Sequence, residues 1–166
     1  MFKNSGLVAK LAPLFLVLLG TSAKADETPC FTLASLQGTY SVVATYSANV
    51  ALALAVRHFD GQGNLTGTFV LNAPVVGSPT GARTIVTGTQ VGTYTVNCDG
   101  TGTITRTLTS SSGVVTTQID NLLITKAVTR ENGSRLAVSL EDATQTPSAL
   151  VPGGLFVFRS YTRQSD

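Results

Sequence analysis

The sequence predicts an all-β fold, an antiparallel closed or nearly closed barrel of about eight strands, with a β-sandwich as the alternative. Three observations predict it. Apolar and polar residues alternate with period two from Gly38 onward. Gly-, Asn- and Asp-rich turn signals recur at short spacing, and no window carries a helical apolar stripe. A barrel is preferred because the first strand and the aromatic last strand are both apolar, and pairing them removes two exposed sheet edges.

Tyr40, Val42, Ala44 and Tyr46 share one parity, and Ser41, Val43 and Thr45 the other, which makes the first strand half-buried. Ala48 to Arg57 has helical Ala-Leu content. The strand before it and the turn Asp60-Gly61-Gln62-Gly63-Asn64 after it favour a strand, with Leu52, Leu54 and Val56 alternating with Ala51, Ala53, Ala55 and Arg57. Leu65 to Asn72 returns through Phe69 and Leu71, and a Pro-containing loop follows from Ala73 to Ala82. Arg83 to Val91 and Gly92 to Asn97 read as two extended segments, and Cys98-Asp99-Gly100-Thr101-Gly102 as a hairpin turn. Thr103 to Thr109 places threonine at every second position, suited to a solvated face. After the Ser110 to Gly113 turn, Val114 to Val128 is the longest periodic segment, with a bulge or change of direction expected at Asp120-Asn121. Glu131 to Ser134 turns the chain again, Leu136, Val138 and Leu140 share a face, and Glu141 to Pro152 reads as a loop. Leu155 to Thr162, with Phe156, Phe158 and Tyr161, closes the chain.

The domain boundaries follow from the leader. Lys3 and Lys10 precede an apolar run from Leu11 to Gly20 that is too short to span a bilayer, and Ala23-x-Ala25 supplies small residues at a cleavage site. Residues 1–25 are expected to be a signal peptide cut before Asp26, leaving 26–166 as a single secreted or periplasmic β-barrel domain without a transmembrane segment. Of the 166 residues, 11 are basic and 9 acidic, a formal charge of +2. The leader removes Lys3, Lys10 and Lys24 and no acid, so the mature chain is left at about −1, and the basic footprint needed for nucleic acid is gone. In an oxidising compartment Cys30 and Cys98 pair as one disulfide, pinning the leading segment, with a chain-entropy value of about 4 kcal/mol. A catalytic or metal-binding pair lacks support, because His58 is the only histidine and neither cysteine sits in a ligand cluster.

Three stretches carry a family likeness: Leu36-Gln-Gly-Thr-Tyr-Ser-Val42, Phe59-Asp-Gly-Gln-Gly-Asn-Leu-Thr-Gly-Thr68, and Gly92-Thr-Tyr-Thr-Val-Asn-Cys-Asp-Gly-Thr-Gly-Thr103. Together they resemble secreted bacterial β-proteins similar to lipocalin-like or allene-oxide-cyclase-like barrels. The resemblance covers roughly Leu36 to Thr109 and implies a barrel fold. Its motifs are hairpin chemistry, so no catalytic residue is carried over.

His58 beside Asp60 is a possible general base or, more plainly, a strand-end histidine facing water. Arg106 shares a parity with Ile104 and Leu108, so it reaches a ligand in a cavity, pairs internally with Asp120 or Glu141, or lies on an outer face. Arg57, Arg159 and Arg163 are expected near strand ends, in reach of solvent. The leading functional expectation is a small apolar or amphipathic ligand held inside the barrel among Tyr40, Leu54, His58, Phe69, Tyr94, Arg106 and Phe156. A structural or adhesive envelope protein is the alternative and a cyclase-like enzyme the third reading. No cofactor or metal motif is present, and Asp60 to Asn64 and Asp99 to Gly102 have too few carboxylates for calcium loops.

Overall fold

The computed structural model describes residues 29–47, 50–151 and 154–164. The expected leader and its cleavage point fall outside them. Eight strands follow a short 3-10 turn, Leu33–Leu36. They are β1 (Gly38–Tyr46), β2 (Ala51–Phe59), β3 (Asn64–Pro74), β4 (Arg83–Val96), β5 (Thr101–Ser110), β6 (Val115–Thr129), β7 (Arg135–Thr144) and β8 (Val157–Arg163). Each pairs antiparallel with the next, and β8 pairs back onto β1 through Tyr46↔Val157 to Tyr40↔Arg163, so the expected barrel is closed. That closure leaves the sheet without an edge.

The turns form for the reasons their residues suggest. The Asp60 carboxylate accepts from the Gln62 and Asn64 backbone N–H and from the Asn64 amide. Asp99 accepts from both the N–H and the hydroxyl of Thr101. These are side-chain-closed turns, and Gly61, Gly63 and Gly100 supply the positive φ between strands.

Several local expectations are corrected. Arg83 to Val96 is one continuous strand, because Gly92 keeps its register against Arg106 of β5. The irregularity in β6 lies between Ile124 and Ala127, while Asp120 and Asn121 stay in regular register with Thr144 and Ala143. The strand β7 runs to Thr144, so Asp142 belongs to the sheet and faces inward. The parity of β2 is the reverse of what its leucines suggest. Ala51, Ala53, Arg57 and Phe59 face the interior, and Leu52, Leu54 and Val56 face out. Alanine wins because the space beside it is already taken by Tyr46, Phe69 and Leu71.

Both mouths are covered. The Cys30–Cys98 disulfide and the Phe31 N–H to Cys98 carbonyl bond hold the leading segment against one end, where Phe31 and Leu36 are buried. At the other end the chain after Thr144 folds over the opening. Ser148 bridges Leu155, and Val151 is buried among Ala44, Tyr46, Leu71 and Val157. Among the described residues no helix is long and apolar enough to cross a membrane.

Candidate functional site: a charged belt inside the barrel

The interior has three layers. At the capped end, Phe59 sits between Tyr40 and Tyr94 in edge-to-face contacts at 5.5 and 5.1 Å, with Leu65, Ile104, Leu140 and Tyr161 around it. The other end holds a second apolar cluster built on Phe69, Leu71, Leu108 and Val157. Between them lies a belt of ionised and amide side chains drawn from six strands: Arg57, Gln90, Arg106, Gln118, Asp120, Asp142 and Arg159, all buried.

The belt is one network. Arg159 lies between the two carboxylates, 3.1 Å from Asp120 and 2.5 Å from Asp142, and also donates to the Gln118 amide oxygen. Arg106 donates to Asp120 at 2.8 Å, to Gln118 at 2.9 Å and to Gln90 at 3.3 Å. Arg57 donates to Gln90 at 3.0 Å and to Asp142 at 3.2 Å, with its guanidinium 4.9 Å from the centre of the Tyr161 ring. The Tyr161 hydroxyl donates to Asp142. Gln90 spends its oxygen on two arginines, and its Nε2 is buried without a hydrogen-bond partner.

Glycine makes the room for these long side chains. A Cβ on Gly92 would collide with the Thr105 carbonyl and lie 2.7 Å from the Arg106 Cα. One on Gly67 would collide with the Val56 carbonyl and crowd Arg57 and the Gln90 amide. The belt therefore lies where the wall is bare backbone.

Burial shapes the charges unequally. For Arg57, desolvation and then the neighbouring Arg106 cation drive the pKa well below the usual arginine value, against the pull of Asp142. For Arg159, desolvation acts in the same direction, yet Asp142 and Asp120 outweigh it and raise the pKa. Burial alone would raise the Asp120 pKa, but Arg159 and Arg106 hold it below the ordinary carboxylate value. Arg57 is thus the poorly compensated member and Arg159 the keystone.

No family model matches this chain, and no curated protein matches it either.

The structure separates the residues expected to line a ligand cavity. Arg106 and Phe69 do border the same interior space, together with Val42, Ala44, Arg57, Gln90 and Leu150, but that space measures only about 20 Å³. It admits one water-sized particle, against roughly 300–1,000 Å³ for ordinary ligand pockets. Tyr40 is wholly buried in the capped-end core. Its hydroxyl donates to the Ala137 carbonyl at 2.7 Å, and burial pushes its pKa to about 12. The Tyr94 hydroxyl donates to the Leu33 carbonyl, tying the 3-10 turn to the barrel. Leu54 and Phe156 point to the outside, 63% and 56% exposed: Leu54 occupies the outward parity of β2, and Phe156 lies just before β8. His58 lies on the outer rim, 3.3 Å from the Thr39 hydroxyl, while Asp60 is committed to its turn. His58 and Arg106 thus lie on opposite sides of the barrel wall and form no joint site.

Of the alternatives for Arg106, the structure shows internal pairing, with Asp120. Arg57 and Arg159 correct the expectation of solvent-reaching strand ends, since both are buried. A signal for them existed: Arg57 shares its parity with Ala51, Ala53 and Phe59, and Arg159 with Val157 and Tyr161. Among the described residues no three His, Cys, Asp or Glu side chains converge as metal ligands.

The outer wall offers a second feature. Val43 pairs with Leu54, and Leu54 with Val70, while Leu52 and Ile85 flank Asn72 across three strands. These side chains line a shallow apolar groove of about 350 Å³ over β1–β4. Arg83 edges it, donating to the Asn72 side chain and the Val50 carbonyl.

Proposed function

We propose that this chain is an exported β-barrel interaction module that engages another protein through the apolar outer face of β1–β4. The observation that carries this reading is the groove of Val43, Leu52, Leu54, Val70 and Ile85, which spends large apolar side chains on solvent while the inward parity of β2 is mostly alanine. Contiguous exposed apolar surface of this kind marks interaction sites. Export is supported by the leader pattern and by the disulfide, which persists in oxidising compartments.

Site-specific photo-crosslinking in the producing cell tests the docking face. A benzophenone side chain in place of Leu54 is expected to give a discrete higher-mass protein adduct, and one in place of Thr105, outward on β5 and outside the groove, none. No adduct from the Leu54 position, or the same smear from both, would sink the proposal. A small apolar or amphipathic molecule is the second reading, because the groove volume falls inside the ligand range. Native mass spectrometry would then show a retained small molecule that Leu54→Asp releases, with no protein adduct from the crosslinker.

A further inference from the structure

The belt contains three guanidiniums and two carboxylates, a net charge of +1. No other charged side chain among the buried, described residues offsets it. Tyr40, Tyr46 and Tyr161 face the same interior as neutral phenols, and Gln90 and Gln118 are uncharged amides. Arginine keeps its proton at neutral pH even where burial lowers its pKa, so the excess charge persists there. Donors are in surplus as well. Each guanidinium carries five N–H groups, whereas the acceptors are two carboxylates and two amide oxygens, and these are already shared between arginines. A buried cation without a counter-charge is strongly disfavoured in a low-dielectric interior.

Two independent observations show where a counter-charge would sit. The small space beside the belt is bordered by Arg57, Arg106, Arg159 and Gln90 on its polar side and by Val42, Ala44, Ala53, Phe69 and Leu108 on its apolar side. Gln90, 2% exposed, borders this space and carries an Nε2 that has no hydrogen-bond partner. At about 20 Å³ the space has room for a single particle of water size or slightly more, which excludes phosphate, sulfate and organic carboxylates.

We infer that the barrel interior is a binding site for one monatomic monovalent anion, a halide such as chloride, held by Arg57, Arg106 and the Gln90 amide. The ion brings the belt to neutrality and supplies the acceptor that the orphan N–H lacks. The site is independent of the outer groove.

The test uses the intact, disulfide-bonded protein. Crystals grown in sodium bromide are expected to show one anomalous peak beside Gln90 Nε2, and the melting temperature is expected to rise saturably in chloride, by about 3 °C over gluconate at equal ionic strength. Gln90→Glu places a fixed negative charge in the belt and should abolish that halide difference. A water at the position without anomalous signal, or equal melting temperatures in chloride and gluconate, would overturn the inference. Because both measurements are made on the unaltered chain, they decide the matter even if Gln90→Glu does not fold.

Discussion

Arg159 and Arg57 look alike in the sequence and stand in opposite electrostatic positions. Among the described residues Arg159 is the sole cation paired with both Asp120 and Asp142. Removing it leaves two buried carboxylates sharing what remains, and Arg159→Ala should cost about 3–5 kcal/mol. Arg57 is the surplus charge. Without it Asp142 keeps Arg159 and the Tyr161 hydroxyl, and Gln90 keeps Arg106. Arg57→Met, similar in reach and apolar, should therefore cost less than about 1.5 kcal/mol in halide-free buffer. Urea unfolding of both variants checks the asymmetry, and equal losses would contradict it.

At the scale of elements, the cap is the piece most dependent on one bond. The segment before β1 is a single 3-10 turn, too short to hold itself, and it is fixed by the Cys30–Cys98 bond, the Tyr94 hydroxyl and the burial of Phe31 against Gly100 and Ile124. The double substitution Cys30→Ser with Cys98→Ser should lower stability by about 2–5 kcal/mol. It should also speed amide exchange at Phe31 to Leu36 and at the β4–β5 turn while the β1–β8 pairing stays protected. Uniform deprotection across all strands would count against a separable cap.

Hairpins were legible in the sequence because turn chemistry is local: Asp60 to Asn64 and Asp99 to Gly102 close on their own side chains. Threonine parity in β5 was legible too, since Ile104, Arg106 and Leu108 face in and Thr105 and Thr109 face out. The facing of β2 was not. Its leucines and Val56 lie outside, and only the crowding by Phe69 and Tyr46 from neighbouring strands explains why alanine faces in. The belt was half legible. Arg106 stood out on an apolar parity, but Asp142 was hidden in an apparent loop, and its partner Arg159 is on another strand. A charge on the inward parity looks the same in sequence whether it meets an opposite charge or water.

For the whole molecule, the belt links stability to acid. The folded-state pKa of Asp120 lies below its ordinary value, so the unfolded chain takes up the proton first as pH falls. The stabilisation from its pairing is complete above about pH 4, the unfolded value, and is lost as pH drops through the folded one. Exposed Asp60 and Asp99 are shifted the same way by their turn hydrogen bonds. Urea midpoints measured from pH 7 to pH 2 should fall steeply at the acid end for the native chain. Asp120→Asn should start lower at pH 7 and fall less. Parallel curves would separate the belt from the acid response. The closed barrel is the architecture that the family resemblance implied, though architecture alone identifies no relative.

The seam between β1 and β8 also sets the order of events when the chain folds. The first strand made is the partner of the last, so β1 waits through the synthesis of six other strands before its second neighbour exists. Arg159 comes from that last strand, and until it arrives Asp120 and Asp142 lack the cation that bridges them. Hairpins β2–β3 and β4–β5 can form locally and early, but the interior charges can leave water only in the step that shuts the seam. Folding is therefore gated by the carboxyl-terminal strand. A chain truncated before Val157 would have seven strands, two raw edges and a stranded pair of aspartates, the combination most prone to pair with its neighbours.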